Sequence, residues 1–164
     1  MTETTTYRRA TVADILTVCE LGQILNDVHH RARPDIYTAS TLDLARDQPY
    51  WLPVLEAENQ ATFLAEQGGV AVGFISAHVM QPTSPVFQPT TFCRIGTVGV
   101  AEAYRGQGIG RALMRLAETW AAEHGAADLR LAVWTFNESA IALYQELGFE
   151  VRAFEMGKAV VLAH

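Results

Sequence analysis

Between Val100 and Leu113 the chain changes its hydrophobic period, and it does so through glycine. Gly106, Gly108 and Gly110 separate a strand-like run, residues 91–100, from Ile109, Leu113, Leu116, Ala117 and Trp120, which fall at i, i+4, i+7, i+8 and i+11 on one helical face. A tight turn that opens a helix leaves several main-chain N–H groups without intrahelical partners, all at the end where the macrodipole favours negative charge. Three positions without side chains let a phosphate approach those donors, and Arg105 and Arg111 add positive charge at either end of the string. Arg105-Gly106-Gln107-Gly108-Ile109-Gly110-Arg111 therefore reads as an anion site. Its plainer reading is a helix entry that needs positive φ angles.

Two common phosphate sites fail on spacing. A nucleotide P-loop needs Gly-Lys followed by Ser or Thr, whereas Gly110 precedes Arg111-Ala112. A dinucleotide fingerprint needs G-x-G-x-x-G, and here the third glycine comes one residue early, with no acidic ribose partner at the end of the next strand.

The rest of the chain supplies alternating elements. Thr11 followed by Asp14 is a capping-box variant, and Ile15, Val18, Cys19, Leu21, Gly22 and Leu25 predict a first helix over residues 12–26. Residues 29–34 read as a turn, and 40–55 as a shorter, less regular helical region. Strands are predicted over 62–66 and 70–80, joined by Gln67-Gly68-Gly69, with a proline-rich mobile loop at 81–89 before the strand at 91–100. Gly96 and Gly99 interrupt that strand, marking either a bulge or a close approach of another molecule. Gly125 ends the following helix; a buried strand at 129–134, a helix at 138–147 stopped by Gly148, and one or two strands within 149–162 complete the prediction. The order implies an α+β (mixed α/β) fold, antiparallel at one end of the sheet with a parallel crossover at the other.

Composition narrows the function classes. With 164 residues, 49% hydrophobic and 18% charged, the chain fits one domain, residues 1–164, with a core large enough to need no staples. Cys19 and Cys93 stand far apart and outside any C-x-x-C pattern, which makes them reduced core residues. A net charge of -6 opposes nucleic-acid binding and suits a cationic amine. No signal-like or membrane-spanning run is visible, so the expected location is the cytoplasm, away from membranes.

At this point two blocks of residues resemble a known family. Thr97-Val98-Gly99-Val100 with Tyr104 to Gly110 is similar to the V-x-x-x-x-R-G-x-G-I-G signature of the GNAT N-acetyltransferases. Trp134, Asn137, Ala140, Leu143, Tyr144, Leu147, Gly148 and Phe149 resemble its second block, N-x-x-A-x-x-x-Y-x-x-x-G-F, and Arg9-Ala10-Thr11 with Asp14 is similar to its beginning. The resemblance implies a central, mostly antiparallel, splayed sheet with about four helices, and acetyl-coenzyme A as co-substrate. The pantetheine arm would pair with backbone at Val98, Gly99 and Val100, where the strand ending at Val100 parts from the one ending at Val133. The pyrophosphate would meet the amides of Gln107, Gly108, Ile109 and Gly110, flanked by Arg105, Gly106 and Arg111. Asn137 would bond the arm or fix the splay, besides serving as helix N-cap. By family habit the enzyme would be a homodimer.

Tyr144 is the candidate acid. Expelling coenzyme A leaves a thiolate whose pKa lies near roughly 8.5, and a phenol near 10 can protonate or hydrogen-bond it; packing is its other reading. The oxyanion would meet a main-chain N–H near Val98. The base is not transferable, because the strand before the turn reads Arg94-Ile95-Gly96-Thr97 where many relatives carry Glu. His29, His30 and His78 are the candidates, since histidine is the residue type suited to exchanging a proton at neutral pH. Adjacent His29-His30 with Asp27 lacks H-x-x-x-H spacing, so no metal is expected. The expected activity is acetyl transfer to a primary amine, of a small molecule, a lysine or a protein N-terminus, by direct attack in a ternary complex. Alternatives are a non-catalytic acyl-coenzyme A sensor and a domain whose glycine turn is only structural.

Overall fold

Five strands form one sheet in order β1-β2-β3-β4-β5 in the computed structural model, which describes residues 3–163. The chain comprises two units, Met1–Ala132 and Val133–His164.

In the first unit, β1 (Thr6–Arg9), β2 (Gln60–Gln67), β3 (Val70–Met80) and β4 (Phe92–Val100) are mutually antiparallel, and β5 (Leu129–Arg130) runs parallel to β4. Gly68 and Gly69, at φ 57° and 78°, make the two-residue hairpin turn between β2 and β3 that matches strand twist. The run from Val72 to Ala77 in β3 is buried throughout, which requires cover on both faces of the sheet. One face receives α1 (Ile15–Ala32) and α2 (Gln48–Glu56), whose Val18, Cys19, Leu21 and Trp51 cluster with Leu64 and Phe74. Gly73, the neighbour of Phe74, points the opposite way, towards Ile109 of α3 (Ile109–Glu123). From that second face α3 buries Leu113, Met114, Ala117, Trp120 and Ala121. Both cysteines are buried and free.

Helix α1 begins at the Thr11/Asp14 capping box, with Asp14 Oδ2 accepting the Thr11 N–H at 2.8 Å. It runs six residues beyond the sequence-based end, so His29 and His30 lie in the helix and not in a turn. No breaker occurs before Arg33-Pro34, and an Asp27–Arg31 ion pair at i,i+4 supports the extra turns. The C-terminal half of α1 holds the returning chain: Gln23 Oε1 accepts the Thr41 N–H and Asn26 Nδ2 donates to Thr38 O, and within the extension His30 Nδ1 donates to Tyr37 O.

In the second unit, α4 (Glu138–Glu146) starts at Asn137, whose Oδ1 accepts the Ala140 N–H, and ends at Gly148 with φ 95°. Two strand expectations fail. The predicted strand at 129–134 is a two-residue, half-buried β5, and 149–163 carries no strand among the described residues. A strand exists only where a partner meets its main chain, and the second unit, a single helix with flanking segments, supplies none.

Candidate functional site: a glycine turn beside an open strand edge

A single 3-10 turn, Glu102–Tyr104, follows β4, and the glycine string follows that. Gly106 and Gly108 adopt left-handed φ values of 77° and 79°, and no atom lies within 4 Å of where either Cβ would stand. The first bond into α3 is Ala112 N–H to Gly108 O at 3.0 Å. Among the described residues, the amides of Gly106, Gln107, Gly108, Ile109 and Gly110 meet no protein acceptor. These five donors stand at the positive end of a 15-residue helix, with no side chain at two of the positions, and such a turn can serve as an anion cradle. Before it, Arg105 Nε donates to Val100 O at 3.0 Å, while Arg111 stands in the first turn of α3.

The strand leading to that cradle changes its hydrogen-bonding direction on the way. Ser76 pairs with Thr97 and Ala77 with Ile95, so Gly96 is the extra residue of a bulge. The last β4–β5 pair, Arg94↔Arg130, lies just before it, and the bend and twist of a bulge explain why β4 leaves β5 there. Cys93 donates its N–H to Asp128 O on the β5 side, whereas Ala101, eight residues on, donates to Val72 O on the β3 side. Residues an even number apart in an unbroken strand point their N–H groups the same way; the extra residue reverses this. Val98 and Val100, at odd and neighbouring offsets from Ala101, therefore direct their main chain away from β3, along the edge that β5 leaves unpaired in this unit. Gly99 points instead at α1: a Cβ there would stand 3.4 Å from the Phe74 ring and 3.7 Å from Leu25.

The three histidines separate. His29 lies one turn beyond Leu25 on the same face of α1, its Nδ1 bonded to Leu25 O at 2.9 Å and its ring 4.8 Å from that of Tyr37. His30 Nδ1 meets Tyr37 O at 2.7 Å. A carbonyl acceptor at Nδ1 places the proton there and the basic lone pair on Nε2 in both. His78 is elsewhere. It pairs with Arg94 on the near side of the bulge, its Nε2 accepts from Asn59 Nδ2 at 2.9 Å, and it lines an open cleft of about 490 Å³ with His124 at the C-terminus of α3. The cradle sits at the other end of α3, roughly 22 Å away along the axis.

In the second unit, the Tyr144 ring lies 5.8 Å from Phe149, and burial pushes the phenol's pKa above its ordinary value. Asn137 acts as the N-cap of α4.

Three residues near the site carry no sequence signal. Ser76 Oγ lies 2.9 Å from where a Cβ on Gly96 would stand; Gln67 Nε2 donates to Gln107 Oε1 at 2.8 Å; Leu25 flanks Gly99. Each reaches the site through a contact between residues distant in sequence.

Sheet, helices and glycine turn are those of the acetyltransferase fold. Residues 23–149 match the Acetyltransferase (GNAT) family, and the chain belongs to it. It is 33% identical over 121 residues to an N-alpha-acetyltransferase of Sulfurisphaera tokodaii, covering 70% of this chain and 72% of that one. It is 37% identical over 89 residues to N-acetyltransferase family 8 member 2 of Rattus norvegicus, 54% of this chain but only 38% of that protein, so it spans well under half of that relative's length. An aminoglycoside N-acetyltransferase, AAC(6')-Iy, in complex with CoA superposes with a TM-score of 0.71 at 16% identity, over 98% of this chain and 97% of that one, a likeness of fold.

Proposed function

We propose that the protein transfers an acetyl group from acetyl-coenzyme A to a primary amine by direct attack in a ternary complex, its two units acting as one cytoplasmic acetyltransferase domain. The family match runs across the boundary at residue 132, which supports that joint role. One observation carries the reading: the five acceptorless amides of residues 106–110 lie just past a strand edge whose Val98 and Val100 are turned outward. That pair of features fits a diphosphate joined to an amide-bearing arm, because the arm can add to the edge as a strand does while the phosphates meet the helix terminus.

The thioester supplies the electrophile, and the chain's own groups do the rest. The Val98 N–H, turned away from β3, is the group that would meet the negative charge developing on the carbonyl oxygen. As the C–N bond forms and the C–S bond breaks, Tyr144 gives its proton to the departing thiolate; its raised pKa keeps that proton in place at neutral pH. The amine's proton passes to Nε2 of a histidine on α1, and His29, on the Leu25 face beside Gly99, is preferred to His30.

The absence of a carboxylate from Arg94-Ile95-Gly96-Thr97 supports a second reading, a sensor that binds acyl-coenzyme A without turnover. Calorimetry with coenzyme A and a thiol-release assay over small amines and peptides separate the two. Binding with steady thiol release supports the enzyme, binding without release in any amine supports the sensor, and no binding rejects both.

A further inference from the structure

Gln67 ends β2 and is a buried polar side chain, 7% exposed. Its amide nitrogen spends both hydrogens on protein: one goes to Thr5 Oγ1 and the other to Gln107 Oε1, each at 2.8 Å. Gln107 is the one residue with a side chain between the two left-handed glycines of the cradle. Glycines at 106 and 108 give that segment more backbone freedom than any other residue would, and a segment that must order when its ligand binds weakens binding by the entropy it loses. A buried donor that fixes the single side chain in the turn removes part of that freedom beforehand. Thr5, by taking the other hydrogen, sets the orientation of the Gln67 amide.

We propose that Gln67 is a positioning residue for the cofactor turn: through Gln107 it holds the five donor amides in their binding arrangement before the cofactor arrives. This rests on the reading of the turn as the coenzyme A pyrophosphate site. It concerns affinity for the donor alone, since Gln67 is attached to the phosphate end of the site and to none of the groups assigned to the chemistry.

The test uses the full chain, with Gln67→Met keeping length and volume while removing the donor, Gln107→Ala removing the acceptor, and the double variant. Coenzyme A dissociation constants are measured by calorimetry, kcat at saturating donor by thiol release, and order at the Gly106, Gln107 and Gly108 amides by nitrogen relaxation without ligand. Gln67→Met is expected to weaken coenzyme A roughly five- to tenfold, the loss of one hydrogen bond, with kcat within about twofold, and to lower the order parameters of the turn from about 0.85 towards 0.6. Gln107→Ala should weaken coenzyme A and lower the order of the turn to a similar extent, and the double variant should add little to either, as for two halves of one contact. Unchanged affinity or unchanged order in Gln67→Met, additive losses, or a kcat that falls in step with affinity would overturn the proposal. Failure of the unsubstituted protein to bind coenzyme A is visible before any substitution; it would overturn the reading of the site and this inference with it.

Discussion

Ser76 Oγ stands 2.9 Å from the point where a side chain on Gly96 would begin. The bulge that turns β4 away from β5 is thus closed to any residue but glycine unless Ser76, itself 7% exposed, moves. Gly96→Ala should cost about 1–2 kcal/mol of stability, the range of mild overpacking, and should raise the KM for the acetyl donor because the bulge sets which way Val98 and Val100 face. Ser76→Ala removes the atom in the way, so Gly96→Ala in that background should recover most of the loss. Denaturant midpoints of the four proteins check this; equal costs in both backgrounds would show that the contact is not what keeps Gly96 a glycine.

Gly108 allows strain and ligand contact to be told apart. At φ 79° any L-residue is strained by roughly 1–2 kcal/mol, yet no protein atom lies within 4 Å of the new Cβ. Gly125, at φ 81° and also without a neighbour within 4 Å, closes the opposite end of α3. Alanine at either position should lower stability similarly, whereas only Gly108→Ala, in the turn proposed to hold the phosphates, should weaken coenzyme A, by tenfold or more. Equal coenzyme A affinity in the two variants would place the phosphate elsewhere.

Acid stability should report on the start of α1. Arg8 donates to both oxygens of Asp14, at 2.9 and 2.7 Å, and its Nε reaches Glu66 at 3.0 Å. Hydrogen bonding from Arg8 first, against desolvation, and then from the Thr11 N–H lowers the Asp14 pKa from 3.8 to about 2. A depressed pKa means the folded state holds the proton less tightly than the unfolded chain. The stabilisation is therefore full above the unfolded value and is lost as the pH falls from about 4 towards 2. Because the Arg8 side chain is 44% exposed, solvent screening limits the pair to about 1 kcal/mol. Arg8→Met should lose that amount at pH 7 and converge with the parent protein near pH 2. A constant gap between their denaturation midpoints across that range would assign the loss to packing.

What the sequence discloses about this protein follows the range of the forces involved. The glycine turn, the hairpin at Gly68-Gly69, the Thr11/Asp14 cap and the bulge at Gly96 were legible because each is a local backbone requirement written in residue type. The last turns of α1 are not legible, because nothing local marks where it stops before Arg33-Pro34 and the His30 contact that steadies them goes to Tyr37, on a segment that returns only after the helix ends. β5 was overlong for a similar reason: its pairing is limited by a bulge in another strand, some 33 residues earlier in the case of Gly96 and Leu129. Gln67 and Ser76 have no motif at all, since their meaning lies in what they touch.

The histidines and Tyr144 make the sharpest kinetic prediction. Burial raises the Tyr144 pKa from its ordinary value, so no fall in kcat from this group is expected below the ordinary tyrosine range. Tyr144→Phe keeps the ring that packs on Phe149 and removes the proton; kcat should drop about 10²-fold, the usual scale of a lost general acid, while coenzyme A affinity stays within about twofold. His29→Gln should lower kcat at saturating donor and amine about 10²-fold, because its Nε2 is the nitrogen left by the Leu25 carbonyl bond. His78→Gln should leave kcat within about twofold, since its ring is bonded to Asn59 in the cleft at the far end of α3. A kcat that collapses in His78→Gln and survives His29→Gln would exchange these assignments and move the acceptor's approach to the other end of the sheet.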